Sequence, residues 1–263
     1  MRMFAALWGY RGFIVESVKR EFQSQYTNAL LGAVWTVIKP LSMIVVYTVI
    51  FSQIMRAKLP GVDTKFAYSV YLCAGVLTWG LFTEMVSRLQ NIFLDQANLL
   101  KKISFPRLCL PVIVVANALV NFLIIFGLFT LFLIFSGLFP GVVFFALIPV
   151  LMIQVLFTIG LGVSLGVLNV FFRDIGQFFS VVLQFWFWLT PVVYPLTILP
   201  AAMQKAVQYN PMTAVIVSYQ QVLVEGIWPN WVSLWPVTLA AVLLCLFGLR
   251  LFRQHAGEMV DEL

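Results

Sequence analysis

Long apolar stretches, separated by short polar or basic ones, set the pattern along this chain. A bilayer core takes roughly 20 mostly apolar residues as helix. Six stretches meet that length: 29–52, 66–86, 110–135, 142–170, 175–194 and 231–252. Ahead of them, residues 4–26 are too polar to span, yet Phe4, Leu7, Trp8, Val15, Val18 and Phe22 fall near one helical face with Lys19, Arg20 and Gln23 elsewhere. That pattern fits a helix lying in the membrane surface. It fits equally a helix packed on the rest of the protein.

One segment breaks the pattern. "WLTPVVYPLTILPAAMQKAVQYNP", from Trp188 to Pro211, is apolar but holds Pro191, Pro195, Pro200 and Pro211. A proline inside a helix costs roughly 3 kcal/mol, through a lost donor and a clash with the preceding turn. Backbone groups left unpaired in lipid cost several kcal/mol each, and a residue set this apolar is unstable as a free loop. The predicted solution is a re-entrant pair over 197–224: Thr197 to Gln208 as one short helix, a turn at Asn210 and Pro211, and Met212 to Val224 as a second. Proline presets its own φ and disfavours helix at the residue before it, which suits Asn-Pro to that turn. The fold class predicted is an all-α polytopic membrane protein. It has six transmembrane helices, an N-terminal amphipathic interface helix and a re-entrant helical pair before the last span, all in a single domain over 1–263.

Composition agrees. The chain is 62% hydrophobic and 10% charged, against about 25% charged residues in soluble domains. The net charge of +6 reports orientation. With both termini cytoplasmic, the inner side receives Arg2, Arg11, Lys19, Arg20, Arg88, Lys101, Lys102, Arg107, Arg173, Arg250 and Arg253, and the outer side only Arg56, Lys58, Lys65 and Lys205. That is the Lys/Arg bias of inner loops, so no nucleic acid partner is needed to explain it. No cleavable signal peptide is expected, because Arg11 interrupts the first apolar run. Cys73, Cys109 and Cys245 are scattered and read as small packing residues.

Enzymatic motifs are missing. The sequence contains no G-x-x-x-x-G-K-[ST] loop to cradle phosphate and no paired carboxylates for metal or acid–base chemistry. "GVSLG", Gly162 to Gly166, matches G-x-S-x-G, but a nucleophile elbow needs a strand–turn–helix and a histidine partner. Ser164 falls inside a predicted span and His255, the only histidine, lies in the C-terminal tail. Gly160, Gly162 and Gly166 are therefore assigned to close helix packing. Within "WTVIKPL", Lys39 is an intramembrane charge costing on the order of 2.5–3.5 kcal/mol. It either snorkels or pairs with Glu84, or it lines the inner mouth of a pathway. "FWFW", Phe185 to Trp188, points around the whole helix and cannot all line a pore. Tyr194, Tyr209, Tyr219, Trp228, Trp231 and Trp235 group at the outer end, as an interfacial belt or as a contact surface for cargo.

Taken together, "LLGAVWTVIKPL" (30–41), "LLKKISFPRLCLP" (99–111), "FFRDIGQ" (171–177), "LTPVVYP" (189–195) and "YNPMTAVIVSYQQVLVEG" (209–226) resemble the permease subunit of type 2 ABC exporters, in particular the O-antigen and polysaccharide export permeases. The family often carries Arg where this chain has Gln220. The resemblance implies a homodimer docked on two copies of an ABC ATPase subunit in the bacterial inner membrane, moving an undecaprenyl-linked polysaccharide. ATP and Mg would be bound by the partner, with no cofactor on this chain. It implies a substrate pathway touching Trp35, Lys39, Tyr194, Tyr209 and Tyr219, a gate turn at Asn210 and Pro211, and ATPase docking through Asp95, Asn98, Lys101, Lys102 and Arg107 in the basic connection 88–107. Two alternatives stay open: a drug or lipid ABC exporter, and an intramembrane enzyme of glycan assembly.

Overall fold

The computed structural model describes residues 8–24, 34–50, 66–102 and 106–262. The helices are α1 (Arg11–Ser24), α2 (Trp35–Tyr47), α3 (Ala67–Asp95), α4 (Ala97–Lys102), α5 (Cys109–Phe135), α6 (Leu147–Phe171), α7 (Asp174–Trp188), α8 (Ala201–Gln208), α9 (Pro211–Gln220), α10 (Trp231–His255) and α11 (Glu258–Glu262). Among the described residues no strand occurs.

Four of these are long and apolar enough to cross a membrane: α3 with 29 residues, α5 with 27, α6 with its leading 3-10 turn (Gly141–Phe171, 31) and α10 with 25. They coincide with the second, third, fourth and sixth predicted spans. The first predicted span, 29–52, lies partly outside the described residues, which give it the helix α2. The fifth, 175–194, is shorter than predicted. Helix α7 holds 15 residues, about 22 Å at 1.5 Å per residue, against a hydrocarbon core of about 30 Å. It stops because Thr190 precedes Pro191, which disfavours helix at that residue.

Helix α3 is the central post. Of the four long helices it is by far the most enclosed, with 78% of its apolar window buried. It runs nine residues past the predicted end of its span, through the charged stretch after Val86. Two causes carry it on. Arg88 is flanked by Glu84 at 3.7 Å and by Glu21 of α1, and Leu89 and Phe93 pack on the glycines of α6. A β-carbon at Gly166 would meet the Leu89 carbonyl oxygen at 2.5 Å, and one at Gly162 the Leu89 side chain at 2.7 Å. On the opposite side of α6, a β-carbon at Gly160 would fall 2.6 Å from the Cys245 backbone nitrogen of α10, and Ser164 lies against Gly248. The Ser164 hydroxyl donates to the Gly160 carbonyl at 2.7 Å. "GVSLG" is thus a packing seam, as small residues at membrane-helix interfaces usually are. Cys73 and Cys109 are buried and Cys245 half-buried, all with free thiols.

Helix α1 lies against α5 and the end of α3. Glu21 accepts from Arg88 and from Asn117 of α5, while Trp8 and Val15 stay exposed. The helix is therefore packed on the protein through one face, where Ile14, Ser17, Val18 and Glu21 are half-buried, and offers other apolar side chains outward. Glu84, a possible partner for Lys39 by sequence, is held by Asn121 at 3.1 Å and by Arg88.

Candidate functional site

The feature most suited to a ligand is a groove of about 320 Å³ between α3 and α7. Trp79, Thr83 and Ser87 line it from α3, each four residues apart and so on one helical face. Ser180, Leu183, Gln184, Phe187 and Trp188 line it from α7, again at helical spacing. Its floor is aromatic: the Trp79 and Phe187 rings meet edge to face at 5.8 Å, and Trp79 meets Trp186 at 6.3 Å. Trp188, 62% exposed, forms one wall. The hydroxyl hydrogens are spent on helix carbonyls, Thr83 to Trp79 at 3.1 Å and Ser180 to Gln177 at 2.6 Å, which leaves oxygen lone pairs facing the groove. The Gln184 amide is exposed and makes no hydrogen bond among the described residues. No charged side chain lines the groove, and no cluster of metal-ligating groups occurs among the described residues. Flat apolar faces beside neutral hydroxyl and amide groups suit a polyhydroxylated ring, whose C–H face stacks while its rim exchanges hydrogen bonds.

Helix α7 ends at the chain break, and here the structure answers how so apolar a segment tolerates four prolines. Several of its carbonyls accept from side chains, most of them on other elements. Tyr71 of α3 donates to Tyr194 O at 2.8 Å and to Pro191 O at 3.2 Å, and Tyr68 to Val193 O at 2.9 Å. Gln220 of α9 donates to Pro191 O at 3.1 Å, and Tyr194 itself to Trp188 O at 2.8 Å. The close approach needs Gly75, where a β-carbon would strike the Val192 carbonyl oxygen at 2.5 Å. Gln220, buried and neutral, accomplishes this with an amide where the resembled family often has Arg. Buried backbone groups are nearly always paired, and here no regular structure is left to pair them.

Asn210 ties this break to the helix beyond it. Its Oδ1 accepts from Met212 N at 3.0 Å, capping α9, and from Trp186 Nε1 at 2.8 Å. Its Nδ2 donates to Thr190 Oγ1 at 2.8 Å and Leu189 O at 3.3 Å. Pro211 occupies the first position of α9, where its missing N–H costs nothing. The segment is therefore two short helices, α8 and α9, broken at Asn210. The second is buried against α3 and α6, and it runs on as a single π turn to Gly226 at φ 65°.

The sequence-selected residues separate. Tyr194 is half-buried in the break and Tyr209, 90% exposed, stands at its surface. Tyr219, expected in contact with cargo, is instead 1% exposed among Phe126 and the core of α9, its hydroxyl without a partner among the described residues. It is a packing residue, because its face of α9 is the one pressed into the bundle. The side chains of Trp35, Lys39 and Lys102 lie outside the described residues. Asp95, Asn98 and Lys101 are exposed around α4, and Arg107 is half-buried beyond it. In "FWFW", Phe185 and Trp188 are exposed, Trp186 turns inward to Asn210, and Phe187 lines the groove. Sequence reasoning did not find Trp79, Thr83, Ser87, Ser180 and Gln184. The available signal was their four-residue spacing, which draws a polar-aromatic stripe through otherwise apolar helices.

Comparison with known proteins places this architecture. The family described as ABC-2 type transporter matches residues 14–224. The chain is 30% identical to the O-antigen export system permease protein RfbA of Myxococcus xanthus, over 100% of both chains. It is 28% identical to the RfbA protein of Klebsiella pneumoniae, over 92% of this chain and 91% of the other. It is 20% identical to the polysialic acid transport protein KpsM of Escherichia coli, over 95% and 98%. With a family match across most of its length and a relative of this identity aligned end to end, the chain belongs to the ABC-2 type transporter family.

Proposed function

We propose that this chain is the membrane-spanning subunit of an ATP-driven exporter that moves a lipid-linked polysaccharide across the bacterial inner membrane. The observation that carries it is the groove between α3 and α7: aromatic, hydroxylated and uncharged. The similarity to an O-antigen export system permease protein and a polysialic acid transport protein supports the same cargo class. Absence of a phosphate loop from the sequence fits a motor on a separate ABC ATPase, which would carry ATP and Mg.

In this reading the chain crosses six times with both termini cytoplasmic. Residues 29–52 form the first crossing. The fifth is α7 completed by the side-chain-capped break. The re-entrant pair α8–α9, turned at Asn210 and Pro211, closes the outer mouth, with Tyr194 and Tyr209 beside emerging sugar. Trp35 and Lys39 flank the inner mouth. Asp95, Asn98, Lys101, Lys102 and Arg107 dock the ATPase. The exposed face of α7, Phe178, Val181 and Phe185, is an apolar surface that a second copy of the chain would cover, closing the groove into a pathway and giving a homodimer on two ATPase subunits.

The test is reconstitution. The chain co-purified with its ABC ATPase is placed in vesicles loaded with an undecaprenyl-linked glycan, and glycan accessible to an external glycosidase is measured. Access that requires hydrolysable ATP supports the reading. ATP-dependent efflux of an amphipathic dye without glycan movement would assign the chain to drug or lipid export instead.

A further inference from the structure

We infer that Asn169 is the joint through which movement of the ATPase-docking segment reaches the groove. Helix α7, which carries most of the groove, has no cap of its own: Arg173 at its N-cap makes no side-chain hydrogen bond. The orphan N–H of Gly176 in its first turn is taken by Asn169 Oδ1, from the preceding helix α6, at 2.9 Å. The two Asn169 amide hydrogens go to α3, one to Gln90 O at 3.0 Å and one to Asn91 Oδ1 at 3.1 Å. Gln90 returns a longer contact, its Nε2 to Gly176 O at 3.4 Å. Both amide side chains are buried, Asn169 at 1% exposure and Gln90 at 3%.

Three properties make this a joint and not ordinary packing. The Asn169 amide uses both its hydrogens and its oxygen, on two different helices. The contact is tight, since a β-carbon on Gly176 would lie 3.0 Å from the Asn169 side-chain amide, closer than most such contacts. And its position is rigid on one side only. One turn away, Gly166 puts the backbones of α6 and α3 in contact, whereas the start of α7 is held to α3 through these amides. Helix α3 continues through Gln96 into α4, the Gln96 N–H bonded to Ile92 O at 3.1 Å. A displacement of α4 therefore drags the end of α3, and Asn169 passes it to Gly176. From there α7 carries it to Ser180, Gln184 and Phe187. Asn169 is on this account a positioning residue, acting on cargo only through α7.

The inference rests on the ATP-driven reading above, and the experiment separates the two. In a cysteine-free chain co-expressed with its ABC ATPase, Gln184→Cys reports thiol labelling in membranes, without nucleotide and with nucleotide trapped. Asn98→Cys reports cross-linking to the ATPase. With Asn169 present, labelling at Gln184→Cys is expected to change on trapping. With Asn169→Leu the change is expected to be lost while the Asn98→Cys cross-link persists, a combination that mere loosening of the fold would not give. Asn169→Asp keeps the acceptor for Gly176 but loses both donors, and decides the matter if the leucine variant does not accumulate. A full nucleotide response in whichever variant accumulates overturns the joint and leaves the transport reading standing. No response even with Asn169 present overturns both. A nucleotide response without glycan movement removes the glycan and keeps the joint.

Discussion

The two ends of α7 solve one problem differently. Each is a chain reversal with orphan backbone groups, and each is closed largely by side chains from other helices. At the end near α4, two buried amides, Asn169 and Gln90, hold a single residue, Gly176, against helices already in backbone contact at Gly166. At the opposite end, the carbonyls of Trp188, Leu189, Pro191, Val193 and Tyr194 meet neutral side-chain donors, which come from Tyr68 and Tyr71 on α3, Tyr194, Asn210 and Gln220. A joint with few bonds to one residue transmits position. A reversal held by scattered bonds can open one bond at a time, with Asn210 as a hub whose side chain makes four hydrogen bonds.

That contrast breaks at the hub first. Asn210→Ala removes the cap of α9 and strands Trp186 Nε1 and Leu189 O, for an expected loss of roughly 3 kcal/mol, about 1 from the cap and the rest from the stranded groups. Thermal unfolding in detergent checks it, and Asn210→Asp should recover the part that depends on Oδ1. A shift no larger than that of an exposed polar substitution would remove Asn210 from its central place.

Next in size is the charged contact near the α4 end. Arg88→Leu removes the guanidinium from between Glu21 and Glu84, a loss of roughly 1–2 kcal/mol for a half-buried pair. Hydrogen exchange should show α1 opening while α6 and α10 stay protected. Unchanged protection of α1 would mean that its apolar face, and not Glu21, holds it.

The stepwise character of the reversal after α7 is tested by a double-mutant cycle. Tyr71 and Gln220 both donate to Pro191 O, so Tyr71→Phe and Gln220→Leu should each cost about 1 kcal/mol, and together about 0.5 kcal/mol or more beyond their sum. Strict additivity would show that the two bonds do not share a load. Tyr68→Phe removes the half-buried bond to Val193 O and should be the mildest, about 0.5 kcal/mol.

Much of this was legible in one dimension. The apolar lengths gave α3, α5, α6 and α10, and Asn210-Pro211 marked the turn, because proline restricts its neighbour wherever it occurs. Span two was drawn short at Val86 because Arg88 looked like a boundary. Its partner Glu21 is 67 residues away, and no local pattern announces such a pairing. The Gln90–Asn169–Gly176 contact was invisible for the same reason: amides inside apolar helices carry no periodicity that names their partners. Tyr219 was misplaced because an aromatic near a span end reads alike whether it faces the interface or the core. The groove residues were visible as a stripe, but only a second helix with a matching stripe turns it into a site.

The central claim is that sugar passes along α3 and α7. The most direct measurement places a photo-activated cross-linking residue at Gln184, and for comparison at exposed Phe145 outside the groove, in the ATPase-bound complex supplied with a radiolabelled lipid-linked glycan. The account predicts glycan adducts from Gln184 that increase with ATP and none from Phe145. Equal labelling from both positions, or labelling from Phe145 alone, would contradict it.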